Sequence, residues 1–396
     1  MSTQSQDWKK KSNHLKGALK RLNVYSKRRK EMREILDQID RCTQCEVCME
    51  VCPTYTITGQ SLFSPMHRLK TAKNLFEGKK VDEQMIESLY NCAECRRCET
   101  VCPQEIEITE IVSKSRNKLV ERGLGPLEKH NKIIEGILSK GNAVNGDPQK
   151  RLDWLPEKFP QGESDTLLYL GCLSSYFLKD IAASSYSVLK KLDFDFMILK
   201  DEECCGIYLY ESGRFDFAKE IFQKNVEKFK SLGIRKIITP CNGCMQCFKY
   251  HYPELLGKID FSVHHIVEVI YDLLRGNPEA LKKIQRTVTY QDPCRLVRLE
   301  SITEEPREIL KWCGAELKEM EENREDASCC GAGGGIRSVY LDLSMEMASN
   351  LLSMAKAETV VSTCPFCTFN LNYTSRKKEL GKSVTYFTNL VLESLR

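Results

Sequence analysis

Beyond residue 165 the chain keeps repeating one pattern: a short apolar run, a cysteine, then a longer amphipathic stretch. "DTLLYLGC", "KIITPCNGC", "RTVTYQDPC" and "AETVVSTCPFC" each run straight from apolar residues into a cysteine. That is how buried parallel strands ending at a site look. Between them "RFDFAKEIFQKNVEKFKSLG" (214–233) carries the apolar spacing of a helix lying on such a sheet. Strands alternating with helices predict α/β units with parallel sheets. Residues 53–91 differ: Met85, Leu89 and Tyr90, with a Ser64-Pro65 start upstream, predict helices. Near the start, Leu15, Leu19 and Leu22, then Met32, Leu36 and Ile39, recur at helical spacing. The stretch "NAVNGDPQKRLDWLPEKFPQGES" (142–164) mixes Gly, Asn and three prolines without sustained periodicity and reads as a linker.

Composition changes this picture at one point. Hydrophobic content of 41% and charged content of 29% in 396 residues are ordinary, but 20 cysteines are not. The opening "MSTQSQDWKKKSNHLKG" lacks an apolar core, and no stretch approaches the ~20 apolar residues of a membrane span. A cytoplasmic protein is therefore expected, with cysteines serving as metal ligands rather than disulfides. Net charge is only +4, yet residues 1–41 hold twelve Lys or Arg against five Asp or Glu, which leaves −3 for the rest. This basic amphipathic helical extension, taken as residues 1–37, has two readings: a solvated helix packed on its own domain, or a peripheral contact with anionic lipid or an acidic partner. Nucleic acid is excluded as a partner, because the remainder is slightly acidic and shows no aromatic–basic interleaving.

The cysteines are strongly patterned. "CTQCEVCMEVCP" places Cys42, Cys45, Cys48 and Cys52 before a proline, and "CAECRRCETVCP" repeats this with Cys92, Cys95, Cys98 and Cys102. Both resemble the C-x2-C-x2-C-x3-C-P run of [4Fe–4S] ferredoxins. Zinc also takes paired C-x2-C elements, but it gives no reason for two tandem triplets each followed by Cys-Pro. The resemblance implies a crossed arrangement, in which the last cysteine of each run serves the other cluster. One cubane would use Cys42, Cys45, Cys48 and Cys102, and the second Cys92, Cys95, Cys98 and Cys52. The helical segment between the runs makes residues 38–125 an α-helical ferredoxin domain. Arg96 and Arg97, inside the second run, either offset the charge of that cluster or face solvent.

The last part of the chain is one unit used twice. Cys172, Cys204, Cys205, Cys241 and Cys244 match Cys294, Cys329, Cys330, Cys364 and Cys367 at offsets of 122, 125, 125, 123 and 123 residues. Five cysteines exceed a cubane's four irons, so either one is spare in each half or the cluster is not a simple cubane. Each cysteine group follows a strand, at the carboxyl end of a parallel sheet, where open α/β folds bind ligands. The expected architecture is α+β multidomain: the helical ferredoxin domain, a helix and linker over 126–164, and two repeated α/β, Rossmann-like domains over 165–280 and 281–396.

"ECCGIY", "SCCGAGGG", "TPCNGC" and "TCPFC" resemble the cysteine-rich CCG domains of heterodisulfide reductases and their relatives. The order of domains is similar to that of the fused, D-type catalytic subunits, over roughly residues 38–396. The resemblance implies that each five-cysteine set holds a noncubane [4Fe–4S] cluster, and that the two clusters together split a disulfide in one-electron steps. It implies as substrate the mixed disulfide of coenzyme M and coenzyme B, in the anaerobic metabolism of methanogenesis. With no flavin or haem motif of its own, the chain would receive electrons from a cytochrome b-type membrane protein or a flavoprotein. It would thereby lie in the cytoplasm at the inner face of the membrane. The same domains occur in relay subunits of lactate, glycolate and glycerol-3-phosphate dehydrogenases that feed a quinone, and this is the alternative. Both five-cysteine sets are complete here, which favours disulfide chemistry. A sensor or scaffold that uses its clusters structurally is the third class, and ten repeated ligands beside a ferredoxin module speak against it.

One departure concerns "QDPCR", where relatives carry histidines; Gln291 and Arg295 stand there, and Arg295 is a candidate for an anionic substrate group. "GAGGGI" (331–336) lacks the last glycine of a dinucleotide loop and any Walker lysine, so room for a cluster or substrate is expected. Cys247 and Cys313 fall outside every set and are expected to be buried small hydrophobes. His264 and His265 are expected on a helix, as structural residues rather than proton donors.

Overall fold

The computed structural model describes residues 30–160 and 162–396. The expectation for Leu15, Leu19 and Leu22 lies outside the described residues. Helix α1 (30–40) buries Ile35 and Ile39 against the helical domain, so this part of the extension packs on its own chain. The domain continues through α2 (Val47–Glu50), α3 (Pro53–Thr58), α4 (Pro65–Phe76), α5 (Glu83–Tyr90), α6 (Arg97–Thr100) and α7 (Ile108–Glu121). No strand interrupts it, as the periodicity predicts. Ser64 caps α4 by accepting from His67 N at 3.1 Å, and Asp82 caps α5 by accepting from Met85 N at 2.8 Å.

Helix α8 (Asn131–Lys140) leads into the segment over 142–164. Although irregular, this segment is firmly packed: Trp154 is buried in the main core and Arg151 pairs with Glu202. The first α/β unit runs β1 (Thr166–Leu168), α9 (Gly171–Tyr176), α10 (Lys179–Lys191), α11 (Ile207–Glu211), α12 (Phe215–Ser231), β2 (Lys236–Thr239), α13 (Asn242–Gln246), α14 (Tyr252–Leu256), β3 (Ser262–His265) and α15 (Ile266–Arg275). The second runs β4 (Thr287–Gln291), α16 (Cys294–Glu300), α17 (Glu304–Trp312), β5 (Glu316–Leu317), α18 (Ile336–Val339), α19 (Leu341–Ser353), β6 (Thr359–Ser362), α20 (Pro365–Lys377), β7 (Ser383–Tyr386) and α21 (Phe387–Ser394).

Both sheets are parallel, in the orders β1-β2-β3 and β5-β4-β6-β7. A parallel bridge from Leu167 to Met197 stands beside β1 where β5 stands beside β4, so the two sheets share one plan. The chain reverses its direction of travel across each sheet between β1 and β2, and again between β4 and β6. That reversal opens a crevice at the strand C-termini. Four cysteines sit there at helix starts: Cys172 in α9, Cys241 before α13, Cys294 opening α16 and Cys364 before α20. His264 and His265 lie on β3, not on a helix. Polar side chains hid this strand, whose packing in the sheet buries His265 completely; its ring caps α15 and faces Pro240 O at 3.2 Å. No described helix is long and apolar enough to cross a membrane.

Candidate metal centres

The two ferredoxin-like runs have the same backbone. Gln44 and Glu46 in the first, and Glu94 and Arg96 in the second, all adopt left-handed φ of 51–64°. Non-glycine residues in that region cost roughly 1–3 kcal/mol each, so four at matching places indicate a loop held to a purpose. Their settings differ. Cys45 is exposed and Cys42, Cys48 and Cys102 are half-buried around one small surface pocket. Cys92, Cys95, Cys98 and Cys52 are all buried. Burial, then the nearby Cys42 and Cys102, push the Cys48 thiol up to about 12. In the second group burial raises Cys92 to about 11, and burial with Glu99 and Cys52 raises Cys98. Cys102 shares the surface pocket of the first group, while Cys52 is buried close to Cys98 and also lies near Cys48.

Arg68 lies beside the second group, fully buried. Its Nη1 reaches Cys52 Sγ at 3.5 Å, while Nη2 bonds Thr54 Oγ1 and Asn91 Oδ1, both at 2.7 Å, and Nε bonds Ser88 O at 3.1 Å. Arg96 and Arg97 are not free cations: Arg96 pairs with Glu99 at 2.8 Å and Arg97 with Glu322 at 2.9 Å.

The two five-cysteine sets each form a continuous row of neighbouring sulfurs. In the first the contacts run Cys172–Cys204–Cys205–Cys244–Cys241. In the second they run Cys294–Cys329–Cys330–Cys367–Cys364, with Cys330 and Cys367 at 3.1 Å. The double cysteine sits mid-row in both. Gly206 and Gly331 follow with φ of 85° and 80°, which turns each glycine N–H onto Cys204 or Cys329 Sγ at 3.4 Å. A Cβ would press into Phe222 at 2.9 Å or Ser344 O at 2.7 Å, so only glycine suits. Buried carboxylates brace the ligand loops. Glu202 accepts from Leu170 N and Gly171 N ahead of Cys172, and Asp292 accepts from Arg324 N ahead of Cys329.

Cys247 is buried and outside the row, yet its Sγ donates to Cys205 O at 3.2 Å. The second half puts Asn370 there, donating from Nδ2 to Cys330 O at 2.6 Å. One supporting hydrogen bond has thus been built from two residue types. Cys313 lies in the main core, as expected of a small hydrophobe.

All ten cysteines line one cavity of about 420 Å³ between the two α/β units. The thiols cannot all ionise together unaided. Burial raises Cys205 to about 12, whereas Cys241 falls to about 7 because Cys244 donates to it. Clustered thiolates of this kind require a compensating cation such as iron. Among the described residues no three His, Cys, Asp or Glu side chains are placed to hold a single metal ion. The rows and the two ferredoxin-like groups have a donor set suited to multi-iron clusters. Arg295, the candidate anion receptor, instead pairs with buried Glu211 on the cavity wall, which neutralises it.

The second ferredoxin-like run is pinned to this cavity. Cys95 touches Cys329 and is drawn down to about 6, first by that thiol's donated hydrogen bond, against the effect of burial. Arg298 donates to Cys95 O at 2.8 Å. Arg116, wholly buried, joins all three domains: it pairs with Glu94 at 2.8 Å and donates to Cys92 O, Glu211 O and Gly334 O at 2.9, 2.8 and 3.1 Å. The glycine-rich stretch serves the same contact. A Cβ at Gly334 would fall 2.2 Å from Cys92 O, so Gly334 makes room for the ferredoxin backbone, while Gly333 and Gly335 line the cavity as the sequence led one to expect.

Arg68, Glu94, Arg116 and Glu211 were not singled out from the sequence. A signal existed for the arginines: Arg68 shares a stripe with Leu69, Ala72 and Leu75, and Arg116 with Ile108, Ile111, Val112 and Leu119. A cation on the buried face of a helix implies a partner there.

Comparison with known proteins gives a consistent result. The chain matches the cysteine-rich domain family twice, over 166–249 and 288–372, and the 4Fe-4S dicluster domain family over 38–106. It is 33% identical over 363 residues to the D-type subunit of dihydromethanophenazine:CoB–CoM heterodisulfide reductase from Methanosarcina acetivorans, covering 85% of this chain and 89% of that protein. With the Methanosarcina mazei protein of the same name it shares 31% over 387 residues, 91% of this chain and 95% of that one. A more distant likeness, 26% over 397 residues, is to the EtfAB:quinone oxidoreductase of Syntrophomonas wolfei, covering 85% of this chain and 55% of that protein.

Proposed function

The chain belongs to the family of D-type heterodisulfide reductase subunits, and from that premise we propose that it takes electrons at its surface and delivers them to a disulfide. Cys42, Cys45, Cys48 and Cys102 are assigned to one [4Fe–4S] cubane, and Cys92, Cys95, Cys98 and Cys52 to a second. Cys172, Cys204, Cys205, Cys241 and Cys244 are assigned to one noncubane [4Fe–4S] cluster, and Cys294, Cys329, Cys330, Cys364 and Cys367 to another. The observation that carries the reading is the single cavity walled by both five-cysteine rows.

The clusters, when bound, supply one-electron transfer. The protein supplies the order. The exposed Cys45 group is the entry, the buried Cys92–Cys98 group is the conduit, and the contact of Cys95 with Cys329 makes the second row the first recipient. Reducing a disulfide consumes two electrons and two protons and releases two thiols. Tyr208 and Ser338 present hydroxyls on the cavity wall 2.6 Å apart, with Tyr208 Oη held by His130 Nδ1 at 2.8 Å, so both can hydrogen-bond a substrate in the cavity. The substrate is the mixed disulfide of coenzyme M and coenzyme B or one like it. The electron donor is a cytochrome b-type membrane protein or a flavoprotein, with the chain on the cytoplasmic face. The likeness to the Syntrophomonas protein supports one alternative, a relay subunit feeding a quinone.

The test is to purify the chain anaerobically, count iron, oxidise it and add coenzyme M or coenzyme B thiol. About sixteen irons per chain are expected, four for each of four clusters. A paramagnetic signal should appear only with thiol and vanish in Cys205→Ser and Cys330→Ser. Iron well below that count overturns the cluster assignment. Full iron with no thiol-dependent signal overturns the disulfide reading and leaves the relay.

A further inference from the structure

The charges facing the cavity are unequal. Arg295 and Glu211 cancel each other. Arg337, which opens α18 just past the glycine-rich stretch, also lines the cavity, and among the described residues it pairs with no carboxylate. Its guanidinium lies over the rings of Phe369 and Tyr373, at 4.6 and 4.4 Å, and Nη1 donates to Asn370 Oδ1. That is its one hydrogen bond among the described residues, so further N–H donors remain unused. A half-buried cation against apolar and aromatic walls is costly unless an anion completes it.

Its placement is also specific. The Asn370 amide that receives Arg337 donates through Nδ2 to Cys330 O at 2.6 Å, so one side chain ties the cation to the second cysteine row. The first half has Cys247 at the matching place, which offers no such tether. We propose that Arg337 is the receptor for an oxyanion headgroup, such as sulfonate, carboxylate or phosphate, on the half of the disulfide whose sulfur goes to the second cysteine row. This rests on the disulfide reading above and adds an orientation to it: the anionic half faces Cys294, Cys329, Cys330, Cys364 and Cys367.

The experiment titrates the thiol-dependent signal of the oxidised holoprotein with thiols of matched length and different charge. They are 2-mercaptoethanesulfonate, 3-mercaptopropionate, 2-mercaptoethanol and cysteamine. A charge-assisted hydrogen bond gives about 1.5–3 kcal/mol, so the anionic thiols should reach half-signal at about ten- to a hundredfold lower concentration than the alcohol. The amine should be weaker still. Arg337→Gln should bring the sulfonate to within about threefold of the alcohol, and Arg337→Lys should restore part of the preference. Indifference of the wild type to charge overturns the proposal. So does an Arg337→Gln protein that keeps its preference, or one in which only cluster potentials move. A calorimetric titration of the holoprotein with ethanesulfonate, which carries no thiol, separates this inference from its premise. Binding that is lost in Arg337→Gln supports the receptor even if no thiol gives a signal, and no binding to the wild type sinks it.

Discussion

The two ferredoxin-like runs share their spacing and their left-handed backbone positions, yet one lies at the surface and the other is enclosed by both α/β units. Local sequence shapes the ligand loop, and distant residues decide what the loop is for. Around the first run the neighbours are its own helices and solvent. Around the second they are Arg68, Arg116, Arg298 and the glycine-rich stretch. One motif lies at the surface and its copy inside, as the proposed inlet and conduit require.

The sharpest way to break this contrast is to remove one ligand from each run. Cys95→Ser should lose the buried cluster, stop a surface donor from reducing the ten-cysteine cavity, and lower the unfolding temperature. Cys45→Ser should cost a similar amount of iron with a much smaller loss of thermal stability. Equal losses of stability would mean that the two runs are equally embedded in the fold.

Next in size is Arg116→Met. It leaves Glu94 buried without its ion-pair partner and frees four backbone carbonyls, those of Leu89, Cys92, Glu211 and Gly334, so urea unfolding should show a loss of about 3–5 kcal/mol. Gly334→Ala should cost roughly 1–3 kcal/mol, since its φ of 61° and its approach to Cys92 O both oppose a side chain. Reduction of the cavity centres should slow in the same protein, as measured by stopped-flow absorbance. Neither change should alter the surface run.

A subtler contrast comes from Arg68. On the proposed assignment, its positive charge beside Cys52 would stabilise the reduced, more negative state of a cluster held there. Arg68→Gln should lower that cluster's midpoint potential in a paramagnetic redox titration and leave the surface cluster unmoved. Arg68→Lys should fall between, since it keeps the charge but not the four-partner geometry.

The smallest effect at neutral pH concerns His130, which burial and Arg116 push down to about 3. An unfolded imidazole binds its proton near 6.5, and the folded one stays neutral until about 3. The unfolded state therefore gains protons first, and His130's contribution is complete above pH 6.5 and lost as pH falls towards 3. Between pH 7 and 5 the urea midpoint should fall less steeply in His130→Gln than in the wild type.

Much of this was legible in the sequence, because apolar runs ending in cysteine carry both strand and site in one signal. The strands β1, β2, β4 and β6 and the helix over 215–231 lie where the pattern puts them. The strand β3 was missed because His264 and His265 gave it a polar look. The pinning of the second run was not legible, since Arg116 meets Glu211 and Gly334 across 95 and 218 residues of chain. Arg295 illustrates the same limit. Its place beside Cys294 suggested an anion receptor, but a glutamate from the other unit occupies it, whereas Arg337, hidden behind a glycine run, meets no carboxylate among the described residues.

The most direct test of the whole path is a single-turnover experiment. The holoprotein is reduced to a known number of electrons, freed of reductant, and mixed anaerobically with the coenzyme M–coenzyme B disulfide or, separately, with a quinone. Two free thiols should appear for every two electrons withdrawn, with the cavity centres reoxidising before the surface cluster. Reoxidation by quinone alone, with no thiol released from the disulfide, would contradict the disulfide reading.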